Sequence, residues 1–407
     1  MRLFFLIFTI IAYSASAQKF EFSQPVRLPT QINSNAEELG PILSQNGKTL
    51  YFSRALHPAN TGGEMGGIDI WFSVKDQNGE WQMSSNKANN WNNKDNNAVI
   101  GVSKDNAVVY LLNAYKNQNG IAFSKNLNGQ WTEPEIVAIP GRKTNEFVGY
   151  YMNLNFDVLL ISMKGKDSYG QEDLYVSTKD SLGRWNSPIN LGSTINTDGY
   201  EISPFLSSDG RRLYFASNGH EGLGDVDIFY SDRLYNSWEI WSKPVNLGDR
   251  VNSASFDAYF SIYGDSLAFF SSNRGSELAD IFMVKAKLKS QSFDDDRQYL
   301  SETEINELLG SSVSGEIRFD QNSVTLNAPQ NELLFYIVNK IITKTDINFQ
   351  LSIGEAETRE IAAARLTAVA DKLKILGISS YRIYEVKNTP GKSQAASGSK
   401  VMLTLFR

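Results

Sequence analysis

Residues 241–253 read Trp-Ser-Lys-Pro-Val-Asn-Leu-Gly-Asp-Arg-Val-Asn-Ser, and residues 22–34 read Phe-Ser-Gln-Pro-Val-Arg-Leu-Pro-Thr-Gln-Ile-Asn-Ser. The two align without a gap and share the Ser, Pro, Val, Leu, Asn and final Ser. A third copy, WNSPINLGSTINT, spans 185–197. The copies at 185–197 and 241–253 each end a longer repeat. The copy at 22–34 stands ahead of the first full repeat, and the last full repeat lacks this ending. A ring of repeats whose first strand completes its last unit has this arrangement.

Two further elements recur with the same period. One is an apolar strand after a turn: GKTLYFS (47–53), NAVVYLL (106–112), DVLLIS (157–162), GRRLYFAS (210–217) and DSLAFFSS (265–272). The other is an acid–aliphatic–aromatic core: Asp69-Ile70-Trp71, Asp173-Leu174-Tyr175, Asp227-Ile228-Phe229 and Asp280-Ile281-Phe282. In the second repeat Gly120-Ile121-Ala122-Phe123 takes its place. Each repeat then holds four short strands separated by turn residues, as a propeller blade does. The expected fold is an all-β propeller over 18–289, with five blades closed by the strand Phe22–Leu28; six blades is the alternative. Closure removes two open sheet edges. Trp131, Trp185, Trp241 and the counterpart Phe22 are expected to anchor packing between blades. Pro25, Pro134, Pro188 and Pro244 sit three residues on, where a strand edge needs no donor. Asp69, Asp173, Asp227 and Asp280 follow glycine-rich loops and are expected to hold those turns.

The run Ser208-Asp209-Gly210-Arg211-Arg212-Leu213-Tyr214-Phe215-Ala216-Ser217-Asn218 resembles the TolB-like, WD-type propeller repeat of bacterial envelope proteins. The resemblance covers about residues 20–289 and departs most in the second repeat.

From residue 311 to 407 the pattern changes to a small α/β domain with a mixed sheet. Residues 290–310 read as a polar linker carrying Asp294, Asp295 and Asp296, with one short helix capped by Ser301 and Glu304 and stopped by Gly310. Beyond it, Glu316–Phe319, Ile347–Ile353, Tyr381–Val386 and Val401–Phe406 read as strands. Asn331–Ile342 and Arg359–Leu376 carry helical apolar spacing. Ile317-Arg318-Phe319-Asp320, Arg365 with Val369 and Leu373, Gly377-Ile378 and Tyr381-Arg382-Ile383 resemble the OmpA-like C-terminal domain. That resemblance implies peptidoglycan binding. The family's acidic turn is reduced to Gly354-Glu355-Ala356-Glu357. A diaminopimelate end is a zwitterion, so Arg365 is the candidate for its carboxylate and Glu357 or Glu355 for its ammonium.

The chain has 407 residues, a formal charge of −6 and no cysteine, which excludes disulfides and thiolate chemistry. No broad basic stripe marks a nucleic-acid partner. Arg2, the apolar stretch Leu3–Ala12 and Ala15-Ser16-Ala17 read as a signal peptide over residues 1–17. Without a cysteine after it, lipoprotein anchoring is ruled out. The expected location is the periplasm, associated with the outer membrane or cell wall, with no transmembrane segment in the mature chain.

The two histidines, His57 and His220, fall in loops between second and third strands. Such loops share a face with the turns that carry Glu38, Glu146, Glu201 and Asp257, and with Arg54 and Arg274. That face is the candidate binding site of the propeller. No catalytic motif, metal set or cofactor site is legible. The expected role is a non-catalytic scaffold, its propeller holding an envelope protein and its C-terminal domain docking to peptidoglycan. By analogy with the family's domain pairing, it could serve a secretion or gliding assembly. The alternative is a secreted glycan hydrolase with paired carboxylates in the propeller funnel.

Overall fold

The structure, a computed structural model, describes residues 20–88, 91–113, 120–140, 149–234, 237–264, 266–288, 300–310, 315–344, 346–355, 358–386 and 400–406. The signal-peptide reading, residues 290–299 of the linker, Glu146 and Glu357 lie outside them. The chain divides into two compact units, one of which is Phe20–Leu288.

That unit contains five antiparallel sheets. Sheet one is Glu37–Leu43, Thr49–Ala55 and Asp69–Val74, extended by bridges from Phe72 to Ser85 and Lys75 to Trp81. Sheet two is Ala98–Val102, Val108–Leu112, Ile121–Leu127 and Glu135–Val137. Sheet three is Gly149–Met152, Val158–Met163, Asp173–Thr178 and Ile189–Asn190. Sheet four is Glu201–Leu206, Arg212–Ser217, Asp227–Asp232 and Val245–Asn246. Sheet five is Asp257–Tyr263, Leu267–Ser272 and Asp280–Leu288. Its outer strand comes from the start of the chain: Phe20–Phe22 pairs Leu288–Ala286, and Val26–Arg27 pairs Met283–Phe282. The first strands of the five sheets touch in cyclic order, and that of sheet five returns to that of sheet one. This is the arrangement of a β-propeller.

The second strands read as unbroken apolar runs because both of their faces are covered. Leu213, Tyr214, Phe215 and Ala216 are all buried. The cores lie between successive sheets. Leu28, Ile32, Leu50, Phe52, Trp71, Phe269 and Ile281 fill the junction of sheets five and one. Tyr51, Ile70, Trp91, Val99, Val109 and Leu111 fill that of one and two. The repeated aromatics join these cores. Trp131 packs edge-on to Trp91 with ring centres 5.2 Å apart, and Trp185 to Phe156 at 5.6 Å. Trp241 is buried beside Trp238, and Phe22 meets Phe260 at 6.0 Å.

The described part of the other unit after residue 299 holds a mixed sheet ordered Glu316–Arg318, Lys400–Phe406, Asn348–Glu355, Ile383–Val386, with only the last pair parallel. Helix α1 (Glu302–Leu309) carries the Ser301–Glu304 capping box, and Leu300 and Leu309 are buried in this unit's core. Helix α2 (Ala328–Ile341) starts three residues earlier than its apolar spacing indicates. Asn327 and Gln330 form a second capping box there, and Pro329 sits in the first turn. Helix α3 (Arg359–Ile375) ends before Gly377, whose φ is 108°. Tyr381 and Arg382 are not strand, as their apolar–polar alternation suggests, but lie in a 3-10 turn, Ser380–Arg382. That turn places the buried Arg382 guanidinium on the carbonyls of Ile342, Lys344 and Ile347, around the end of α2. Among the described residues no helix is long and apolar enough to cross a membrane.

Candidate functional site

Among the described residues, the charged residues of the candidate face gather into a repeated unit at three of the sheet junctions. Asn252 shows it in full. Its side-chain amide accepts from the Ile228 N–H at 2.8 Å and donates to the Ile228 carbonyl at 2.9 Å, so it acts as one more rung of sheet four. The next residue, Ser253, donates through its N–H and Oγ to Asp257, the first residue of sheet five. Arg274 closes the unit, bonding Asp257 at 2.6 Å and the carbonyl of Val251.

The same geometry recurs around the ring. Asn196 holds the Leu174 N–H and carbonyl, Thr197 donates to Glu201, and His220 Nε2 meets the Ile195 carbonyl at 2.8 Å. Asn33 holds Ile281, Ser34 donates to Glu38, and Arg54 bonds Glu38 at 2.8 Å and the Ile32 carbonyl at 2.5 Å. Asn92 holds Ile70 in sheet one, while Asn93 donates its N–H to Asn97. Asn97 therefore stands where the other junctions have an acid. The sequence reading missed Asn97 because its residue type differs, although its spacing from Asn92 and Asn93 matches that of Glu38 from Asn33 and Ser34.

These groups are buried and spent on each other. Glu38, Glu201 and Asp257 are fully buried, and Arg54 nearly so. Burial pushes the Glu201 carboxyl up, against the pull of the Thr197 and Ser217 hydrogen bonds. Burial also raises Glu38, with Ser34 and Arg54 opposing it. His57 is half-buried and stands apart from its junction. Its ring sits edge-on to Trp71 at 4.7 Å and its Nδ1 accepts from the Ala59 N–H. Burial, then the nearby Arg54, hold the His57 imidazole below its ordinary value. His57 and His220 belong to sheets one and four, which are not neighbours in the ring. Among the described residues the face does not bring its histidines and carboxylates together at one point.

The repeated aspartates hold the glycine-rich loops. Asp173 accepts from the Tyr169 and Gly170 N–H groups and from Asn190. Asp227 accepts from the Leu223 N–H and from Asn246, and Asp69 from Thr61 and Asn86. Asp280 instead takes both nitrogens of Arg27.

At the axis, the first strands enclose a cavity of about 140 Å³ lined by segments Leu39–Ile42, Asn96–Ile100, Gly149–Tyr151, Ile202–Phe205 and Tyr259–Ser261. Four of these strands bulge here, and three of them put Gly40, Ser203 and Tyr259 into the left-handed region, with φ of 61°, 48° and 58°. Among the described residues no Asp, Glu, His, Lys or Arg lines the cavity. Glu37, half-buried near Tyr259, has its carboxyl raised by burial, but it does not line the cavity. Among the described residues no three His, Asp or Glu side chains assemble as a metal site.

In the other unit, Arg365 is buried. Its Nε donates to the Ser323 carbonyl at 2.6 Å and its Nη2 to the Asp320 carbonyl at 3.0 Å, and its guanidinium lies 5.0 Å from the Phe319 ring centre. Glu355 ends the strand Asn348–Glu355, opposite Lys400.

No family model matches the chain, and no curated protein matches it. Among solved structures it is similar to a glycoside hydrolase at 9% identity, covering 69% of this chain and 95% of that one, with a TM-score of 0.44. It is similar to a family 117 glycoside hydrolase from the marine bacterium Zobellia galactanivorans at 15% identity, covering 69% and 93%, with a TM-score of 0.41. It is also similar to TolB from Acinetobacter baumannii at 12% identity, covering 63% and 56%, with a TM-score of 0.35.

Proposed function

We propose that this chain is a non-catalytic binding and scaffolding protein of the bacterial envelope. Its five-bladed propeller, closed by the N-terminal strand, holds a protein partner. One observation carries the reading: the charged groups that could have formed an active site are buried at the sheet junctions and bonded to backbone. A paired-carboxylate hydrolase needs two acids facing one pocket, about 5–10 Å apart. The axial cavity offers none among the described residues.

The resemblance of residues 311–407 to the OmpA-like domain supports a cell-wall role for that unit. In this reading Arg365 shapes the Asp320–Ser323 turn instead of reaching a ligand, since its guanidinium is turned inward to carbonyls. The location proposed is the periplasm, with a possible place in a secretion or gliding machine resting on family analogy alone.

Two measurements test the proposal. The mature chain is incubated with a panel of polysaccharides and peptidoglycan, and reducing ends are assayed. No release above blank is expected; release that Glu146→Gln or Glu37→Gln abolishes establishes the hydrolase. Pull-down on purified peptidoglycan sacculi tests the second unit. Retention by the full chain supports docking, and no retention removes the cell-wall part.

A further inference from the structure

Among the described residues the loops between second and third strands emerge on one face of the ring, and three of them carry the same unexplained feature. Four residues ahead of the aspartate that anchors each loop stands an apolar side chain in solvent: Met65 before Asp69, Tyr169 before Asp173, Leu223 before Asp227. They are 87%, 55% and 54% exposed. Single exposed apolar residues are ordinary on a surface. The same position exposed in three sheets, on one face, is a pattern that packing does not account for.

These tips are also held rigidly. The Tyr169 and Leu223 N–H groups themselves donate to Asp173 and Asp227. Behind each tip a glycine lies against the connection to the next sheet, too close for any side chain. Gly67 meets the Lys94 and Asp95 carbonyls, Gly170 the 197–199 backbone, and Gly224 the 253–255 backbone. Loop backbone fixed in this way loses little entropy on binding.

Two further observations point to the occupant. Glu64 flanks Met65, and Glu221 and Asp225 flank Leu223, and these three acids form no ion pair among the described residues; the Tyr169 loop carries both signs, in Lys166 and Glu172. The apolar axial cavity takes Ile68, Asn96 and Asn97 from this end of the ring, so the same face carries an apolar recess among its apolar tips.

We infer that this face docks a polypeptide segment presenting apolar side chains flanked by lysine or arginine, with one apolar side chain entering the axial cavity. The inference rests on the protein-binding reading above and names the face and the chemistry of the partner. Apolar contact supplies affinity and the carboxylates orient the approach.

The test uses the full mature chain in its native cells with a photo-crosslinking amino acid at 65, 169 or 223. Parallel variants carry it at 182 or 104, in turns at the opposite end of the sheets. Captured peptides are identified by mass spectrometry. Capture from the first three positions of one segment rich in apolar and basic residues supports the inference. Binding of that segment, made synthetically, should then weaken at least tenfold in Leu223→Asp and severalfold in Glu221→Lys/Asp225→Lys. Unchanged melting temperatures confirm that these loop variants fold. Capture only from 182 or 104, or of an acidic segment or a glycan, overturns the inference while leaving a binding protein. Capture from no position overturns the protein-binding reading as well.

Discussion

Arg27 and Asp280, 253 residues apart, form a two-point ion pair with N–O distances of 2.6 and 2.7 Å. Arg27 occupies the place that Asn190 and Asn246 hold in the other two copies of the motif, and those asparagines bond Asp173 and Asp227 at 2.9 and 3.0 Å. At the seam where the ring closes, an amide hydrogen bond has thus been exchanged for a charge pair. Arg27 is half exposed, so the pair is discounted for solvent screening. Arg27→Ala should cost about 1–2 kcal/mol, mostly by leaving the Asp280 carboxylate without its donor. Arg27→Asn should recover part of that loss, because the equivalent positions use asparagine. Chemical denaturation of the two variants checks the order; an equal loss in both would show that asparagine does not reach Asp280.

Removing residues 20–34 takes away the outer strand of sheet five, Asn33 and the Ser34–Glu38 contact together. The strand Asp280–Leu288 then has an open edge. Lower thermal cooperativity and concentration-dependent aggregation are expected. A melting transition unchanged in midpoint and width would refute closure by this segment.

Asn252→Ala leaves the N–H and carbonyl of Ile228 without their partner in a buried site. Two stranded backbone groups should cost about 2–4 kcal/mol. The exposed Asn78→Ala, measured alongside by denaturation, should stay within about 0.5 kcal/mol of the parent. Equal stability of the two would mean that the junction asparagines carry no rung.

Glu201 gives a pH signature. Burial raises its folded pKa above the unfolded value, so folding favours the protonated form. Its contribution is fully present below the unfolded glutamate range, about 4.3, and is lost as pH rises through the folded value. In Glu201→Gln that titration is gone. The melting temperature of the variant relative to the parent should therefore rise as the pH climbs above about 4.3 and level off above the folded value. A pH-independent difference would show that Glu201 is not strained by its burial.

Arg365→Ala frees the carbonyls of Asp320 and Ser323 and removes a large buried side chain. The expected loss is about 2–4 kcal/mol, confined to the unit that holds α2 and α3. Hydrogen exchange should speed up in residues 316–326 and leave the five propeller sheets unchanged. Spread of the effect into those sheets would contradict the independence of the two units.

The strands of the ring were readable because each repeat carries its own turn signal and apolar run. Glu201–Leu206 and Arg212–Ser217 fall where the pattern puts them. The outer strands shrink to two residues, such as Val245–Asn246, because the motif leaves the sheet early to place its asparagine. What the pattern could not reveal is the use of the charges. Glu38, Arg54, Asp257 and Arg274 look in sequence like a polar face. Only the fold shows that each acid meets the cation of its own sheet and the Ser or Thr hydroxyl of the connection before it. The start of α2 was hidden for a different reason. Its first turn, Ala328-Pro329-Gln330, has no apolar spacing, and its capping box is Asn with Gln.

The bond from Asn33 to Ile281 also has a consequence for biosynthesis. Residue 33 leaves the ribosome among the first, and its partner 248 residues later, near the end of the ring. Sheet five therefore remains incomplete, and the N-terminal strand unpaired, until nearly the whole ring has been made. Until then the N-terminal strand is an edge without a partner, open to pairing with another chain.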